Sequence, residues 1–381
     1  MNHSPTRTRD ANAEIGKKIL NLLITEERRK GLSQYLKNRL RARKLRKEFR
    51  ESKSHLTNLY QVCLQHLSPV VSPMVLISQI HRAGGSMLSQ LFDGHPEVHA
   101  HPHELKIGNP KKYIWPQIDL NAGPEQWFET LFEDVNIRLL RKGYKKMPKH
   151  EKDKETFLFI FLPVLQREIF LKYINSIESL APRDVFDAYM TSYFGAWLNN
   201  QNFIGQKKFV TAFTPRLTMR KDNVESFFEI YPDGRLISII RDPRNWYPSA
   251  YRHNMAIKRK KYKNIQEAIG QWLDDAQSMS WNKQTYAERV CIIRFEDLVS
   301  KTEHVMRYLA EFLDISYDNI LLLPTFNKYP IKANTSFDLK NHGIIQSPLR
   351  RYKTLTEEEL GIIDTMAREP YEKVLSEAVV F

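Results

Sequence analysis

Residues 74–104 read MVLISQIHRAGGSMLSQLFDGHPEVHAHPHE, and the fold turns on how this stretch is read. Met74–Ile80 is a short apolar run of the kind that forms a buried strand. His81-Arg82-Ala83-Gly84-Gly85 is a turn, and Ser86 opens a helix. Met87, Leu88, Leu91 and Phe92 then recur at helical spacing, with Gly94 where a helix would stop. Strand, glycine-rich turn and helix together aim backbone N–H groups and a helix N-terminus at one spot, which suits an anion. A tight turn without a ligand would use the same glycine pair.

The anion expected here is a phosphate, although the loop departs from the common triphosphate pattern GxxxxGK[ST]. That pattern needs a glycine near Gln79 and a lysine where Gly85 stands. The cation is instead Arg82, on the strand side of the turn.

Further strands follow at Lys208–Phe213, Arg235–Ile240 and Arg289–Arg294. Helices are expected over Asp222–Ile230, from a capping box at Ser300–Glu303 through Leu313, and after a second cap at Thr356–Glu359. The alternation predicts an α/β fold: a P-loop-type parallel sheet flanked by helices, with ligands at the strand C-terminal ends. Residues 110–205 read as a mostly helical insertion on the acceptor side, with helices at Gln126–Arg141 and Phe157–Ile177. The aromatic run Arg183–Leu198 is either core or the wall of a pocket.

Charge separates the chain into two parts. Residues 1–60 carry 16 Lys and Arg against 6 Asp and Glu, most of the net +14 of the whole chain. The expected division is a basic helical extension over 1–70 and an α/β domain over 71–381. In the extension, Ala11–Leu32, Gln34–Glu51 and Leu56–Leu67 read as two or three helices. They would be a packed extension with a solvated basic face, or a docking arm for an anionic membrane surface or a polyanion. No specific nucleic-acid partner is predicted. No apolar run is long enough to span a bilayer, and the N-terminus lacks the apolar core of a signal peptide. With only Cys63 and Cys291, the expected setting is cytoplasmic, with peripheral membrane contact left open.

Two further clusters bear on chemistry. His95, His99, His101 and His103 raise a metal reading, but HxxxHxH is not a compact zinc pattern and no cysteine is near, so none is assigned. Arg241 ends a strong strand in Arg241-Asp242-Pro243, and Ser249 follows eight residues later. A guanidinium fork and a hydroxyl brought together in this way suit a phosphate monoester.

In this order the pieces resemble the sulfotransferase family, whose donor is 3′-phosphoadenosine 5′-phosphosulfate (PAPS). The family's 5′-phosphosulfate loop, P-[KR]-S-G-T-[TS], corresponds to His81–Ser86. Its 3′-phosphate motif, a strand ending in Arg with Ser eight residues on, corresponds to Arg241 and Ser249, and its R-[YF]-E-D-L segment to Arg294–Leu298. The resemblance covers residues 72–370 and, with Asp93-Gly94-His95-Pro96, is nearest the tyrosylprotein-sulfotransferase-like and bacterial branch. Departures are Ala83 for Ser, Gly85 for Thr and His103 before the acidic residue.

The resemblance implies that Ala83, Gly84, Gly85, Ser86 and Met87 hold the 5′-phosphate and that Arg82 supports the leaving oxygen. Arg241 and Ser249 would hold the 3′-phosphate, with Lys332 and Arg350 or Arg351 closing over the nucleotide. Glu104 or His103 would take the proton of an acceptor hydroxyl on a carbohydrate, peptide or small molecule, without a metal. The alternatives are a P-loop-type kinase or other nucleotide-binding enzyme, and a polyanion-binding protein acting through its basic helices.

Overall fold

The computed structural model describes residues 26–108, 113–142, 144–145, 156–256, 262–331 and 343–381. Lys332 and the first 25 residues of the basic extension lie outside the described residues. The chain divides into two compact units, Met1–His66 and Leu67–Phe381.

In the first unit the expected series of helices is, over the described residues, one continuous helix, α1 (Glu26–Gln65). No break falls at Ser33 or at residues 52–55, where the helices were expected to separate. Lys, Arg, Leu and Glu dominate the sequence and are strong helix formers, and the single Gly31 costs only about 1 kcal/mol. Ser52 and Thr57 donate to the carbonyls four residues earlier, and Lys44–Glu48 and Lys47–Glu51 bridge successive turns. Among the described residues no helix is long and apolar enough to cross a membrane.

The second unit is built on a five-stranded parallel sheet. Its strands are β1 (Met74–Ile77), β2 (Val98–Glu104), β3 (Phe209–Phe213), β4 (Arg235–Ile240) and β5 (Val290–Arg294), in the order β2-β3-β1-β4-β5. Buried on both faces, these strands read as apolar runs. Ile237, Ile239, Cys291 and Ile293 face one core, while Ile240 and Ile292 face the other. The first core is covered by α2 (Gly85–Phe92). The chain then returns as β2, which carries the His-rich segment.

Between β2 and β3 the described residues form four helices: α3 (Pro124–Leu131), α4 (Asp134–Leu140), α5 (Pro163–Ile174) and α6 (Pro182–Ala196). The expected helix over Gln126–Arg141 is broken at Phe132-Glu133, where Glu133 turns inward to accept hydrogen bonds. The helix expected from Phe157 starts only at Pro163, which can open a helix but not continue one. The aromatic run is core: Phe186, Tyr189, Tyr193 and Phe194 are all fully buried.

The remaining helices are α7 (Lys221–Ile230), α8 (Pro243–Ala256), α9 (Ile265–Tyr286), α10 (Phe295–Ser300), α11 (Thr302–Phe312) and α12 (Glu357–Glu377). α11 joins α2 over the first core, and α8, α9 and α12 cover the second. The capping box at Thr356–Glu359 forms. The one expected at Ser300–Glu303 does not, because Ser300 is the last residue of α10 and donates to Glu296 O instead.

The chain leaves β1 toward the β2 edge and later leaves β3 toward the β5 edge. The crevice created by that reversal lies at the C-terminal end of β1.

Candidate active site

The turn after β1 is forced into an unusual backbone. Arg82 adopts φ 69°, a left-handed conformation that a non-glycine residue rarely holds. Gly84 has φ 111°, and a Cβ there would come within 2.7 Å of the Phe295 ring. Neighbouring elements clamp the turn: Arg241 Nη1 donates to Arg82 O (2.7 Å) and Trp246 Nε1 donates to His81 O (2.9 Å). α2 then starts at Gly85, so its first N–H groups have no acceptor within the helix and point out of its N-terminus.

A cleft opens over this turn, lined by Gln79, Arg82, Gly84, Gly85, Ser86, Met87, Phe213, Arg241 and Arg351, among others. Ala83 packs its side chain into the second core, so only its backbone is available to a ligand. Arg241 is 3% exposed, lies 4.2 Å over the Phe295 ring and donates Nη2 to Pro348 O (3.1 Å). Burial pushes its guanidinium down to about 9, the nearby Arg351 and Arg82 push the same way, and Glu296 opposes them. Burial lowers Arg82 as well. Three guanidiniums drawn together out of water repel one another, and an anion among them would relieve that repulsion.

The second half of the expected 3′-phosphate pair is placed differently. Ser249 sits behind Arg351, accepting from its Nη1 and donating to Asn245 O (3.4 Å). It therefore fixes the arginine that lines the cleft. Arg350, its neighbour in the 3₁₀ segment Ser347–Thr354, is exposed and does not line the cleft. The dipeptide Arg350-Arg351 carries no periodic signal to say which side chain turns inward, and the 3₁₀ geometry selects Arg351.

A second cleft shares Ser86 and Phe213 with the first and is also lined by Ser89, Gln90, Pro102, His103 and Glu104. It is made by an irregularity in β2. The register against β3 shifts between Ala100 and Glu104, around Pro102, which has no N–H to give to a ladder. The shift brings His103 and Glu104 to the cleft. Glu104 pairs with Lys106 Nζ at 3.4 Å. Burial holds His103 below the usual imidazole range, and its Nδ1 has no hydrogen-bond partner.

Beneath this strand end lies a buried network that the sequence did not signal. Glu133 accepts from Lys106 N (2.6 Å) and Tyr189 Oη (3.2 Å) and pairs with His101 Nε2 at 3.1 Å. Burial alone would raise its carboxyl, but His101 and these hydrogen bonds hold it below the usual carboxylate range. Asn136 Nδ2 donates to Glu104 O at 3.0 Å, tying the network to the cleft. The four histidines do not converge. His95 bonds Ser316 O, His99 stacks on Phe194 at 4.6 Å, and only His101 and His103 reach the site.

The sequence profile of the Sulfotransferase family matches residues 73–319. Comparison with curated proteins finds no match. Among solved structures, the chain is similar to the sulfotransferase domain from the Synechococcus PCC 7002 olefin synthase, with 16% identity over 83% of this chain and 97% of that one and a TM-score of 0.49. The sulfotransferase domain from the curacin biosynthetic pathway gives 17% identity over 78% and 98%, with a TM-score of 0.46. A sulfotransferase from Alicyclobacillus acidocaldarius gives 14% identity over 81% and 97%, with a TM-score of 0.44.

Proposed function

Because this chain belongs to the sulfotransferase family, we propose that it moves a sulfuryl group from PAPS to an acceptor hydroxyl. The observation that carries the donor assignment is the crowding of Arg82, Arg241 and Arg351 around a glycine turn at the head of α2. The 3′-phosphate pairs with Arg241 and Arg351, the latter held in place by Ser249. The 5′-phosphate takes the N–H groups of the turn and the Ser86 hydroxyl.

The two clefts meeting at Ser86 and Phe213 suit an in-line transfer. The sulfur–oxygen bond to the bridging oxygen breaks as the acceptor oxygen bonds to sulfur. Arg82 supports the charge that grows on the departing oxygen, where preorganised cations act most strongly. Glu104 takes the hydroxyl proton, since its carboxylate lies at the second cleft and its strand end is tied to the buried network. His103, held neutral by burial, shapes the floor beside it.

The test is a thermal-shift titration with adenosine 3′,5′-bisphosphate, 5′-ADP and Mg·ATP. A ligand at about a hundred times its Kd stabilises by about 2.7 kcal/mol. Stabilisation is expected from the bisphosphate and not from the other two. Stabilisation by Mg·ATP alone would turn the assignment toward a kinase.

A further inference from the structure

We propose that the Gln79 carboxamide is a donor-binding group, hydrogen-bonded to an oxygen of the 5′-phosphosulfate in place of the hydroxyl side chain that residue 85 lacks. The inference rests on the donor assignment above.

Gln79 lies just beyond β1, is 1% exposed and lines the first cleft. Its backbone is anchored, the carbonyl accepting from Arg216 N at 3.0 Å. The side chain is not, since neither Oε1 nor Nε2 has a hydrogen-bond partner. A buried amide left without partners is costly, and native proteins rarely keep one without a reason.

Its position supplies the reason. A Cβ placed on Gly85 would lie 1.9 Å from Gln79 Nε2 and 2.3 Å from the Phe213 ring. Gln79 therefore occupies the space that a side chain at residue 85 would take, at the first turn of α2. The loop pattern that this stretch resembles carries Thr at that position. Here a polar group reaches the same spot from the strand side, and Gly85 is required to admit it. A primary amide has two N–H donors, and an anionic oxygen beside the helix N-terminus would satisfy one of them.

The test is calorimetric titration of the full chain with adenosine 3′,5′-bisphosphate and adenosine 3′-monophosphate, which lacks the 5′ group. Gln79→Met keeps the volume and removes the amide. The expected result is a bisphosphate affinity about tenfold weaker, or about 1.4 kcal/mol, with the 3′-monophosphate unaffected. No change, or an equal loss for both ligands, overturns the inference, and a structure of the wild-type bisphosphate complex separates a direct contact from a reshaped turn. If the wild type binds neither nucleotide, the donor assignment itself has failed and this inference falls with it. Should Gln79→Met not fold, a structure of the wild-type bisphosphate complex decides. A Gln79 nitrogen farther than about 3.2 Å from every 5′-phosphate oxygen overturns the inference.

Discussion

Two strand ends separated by a single strand handle buried charge in opposite ways. At the end of β1 three arginines crowd together, and the neighbouring carboxyl of Glu296 is itself raised by burial. At the end of β2 the buried Glu133 is met on every side by His101, Tyr189, Asn136 and a backbone N–H. Charge balanced by its neighbours holds a strand end in place, whereas like charges gathered at one spot mark where a ligand of the opposite sign belongs.

The largest expected effects test whether the β2 end contributes chemistry as well as support. Glu104→Gln keeps the shape and removes the base, and turnover should fall about a thousandfold with bisphosphate affinity unchanged. Arg82→Ala should lower turnover by several hundredfold, about the cost of removing one oxyanion-type donor, with a smaller loss of bisphosphate affinity. Comparing kcat with the nucleotide Kd separates the two roles. Equal losses in both quantities for Arg82→Ala would reduce that residue to a binding group.

Arg351 and its neighbour sharpen the comparison within the donor cleft. Arg351→Ala removes a buried charged donor and should weaken bisphosphate binding about a hundredfold, whereas Arg350→Ala should leave it unchanged. The reverse order, measured by calorimetry, would mean that the 3₁₀ segment turns its other face inward when nucleotide binds.

The parts of this site that were legible in the sequence are those built by local rules. A short apolar run, a glycine pair and a helical stripe within 31 consecutive residues located the turn and placed Arg82, Gly84 and Ser86 on it. The strand ending at Arg241 was as plain. What stayed hidden depends on partners far along the chain. Glu133 belongs to the site because it meets His101, 32 residues away, and Ser249 serves it through Arg351, 102 residues away. Gln79 looked like the tail of a strand, and only the space above Gly85 gives it a direction. α1 was misread for the opposite reason. Its polar stretches look like boundaries, but the helix runs through them, with Ser52 and Thr57 bonded back to the preceding turn.

Asp275, a buried carboxyl beneath the donor turn, is the sharpest challenge to that contrast. It is 2% exposed on α9, its Oδ2 has no partner, and it accepts a hydrogen bond from the N–H of Ile80 beneath the donor turn. Burial raises its carboxyl to about 7, with Arg216 opposing, so below that pH it is protonated and carries no charge to be met. A carboxyl raised in the folded state gives stability that is full below its unfolded value, about 3.9, and is lost as pH climbs toward 7. The contribution of Asp275 to stability should therefore fall by about 2 to 3 kcal/mol between about pH 5 and about pH 8. Asp275→Asn keeps an acceptor for Ile80 and cannot ionise, so it should match the wild type near pH 5 and exceed it near pH 8. Denaturant melts at the two pH values check this. If the two proteins lose stability in parallel, Asp275 is already ionised against Arg216 at the lower pH and is a met charge like Glu133. If they diverge as expected, the turn that gathers three cations rests on a carboxyl that is neutral below about pH 7, and the charge gathered at the cleft is positive.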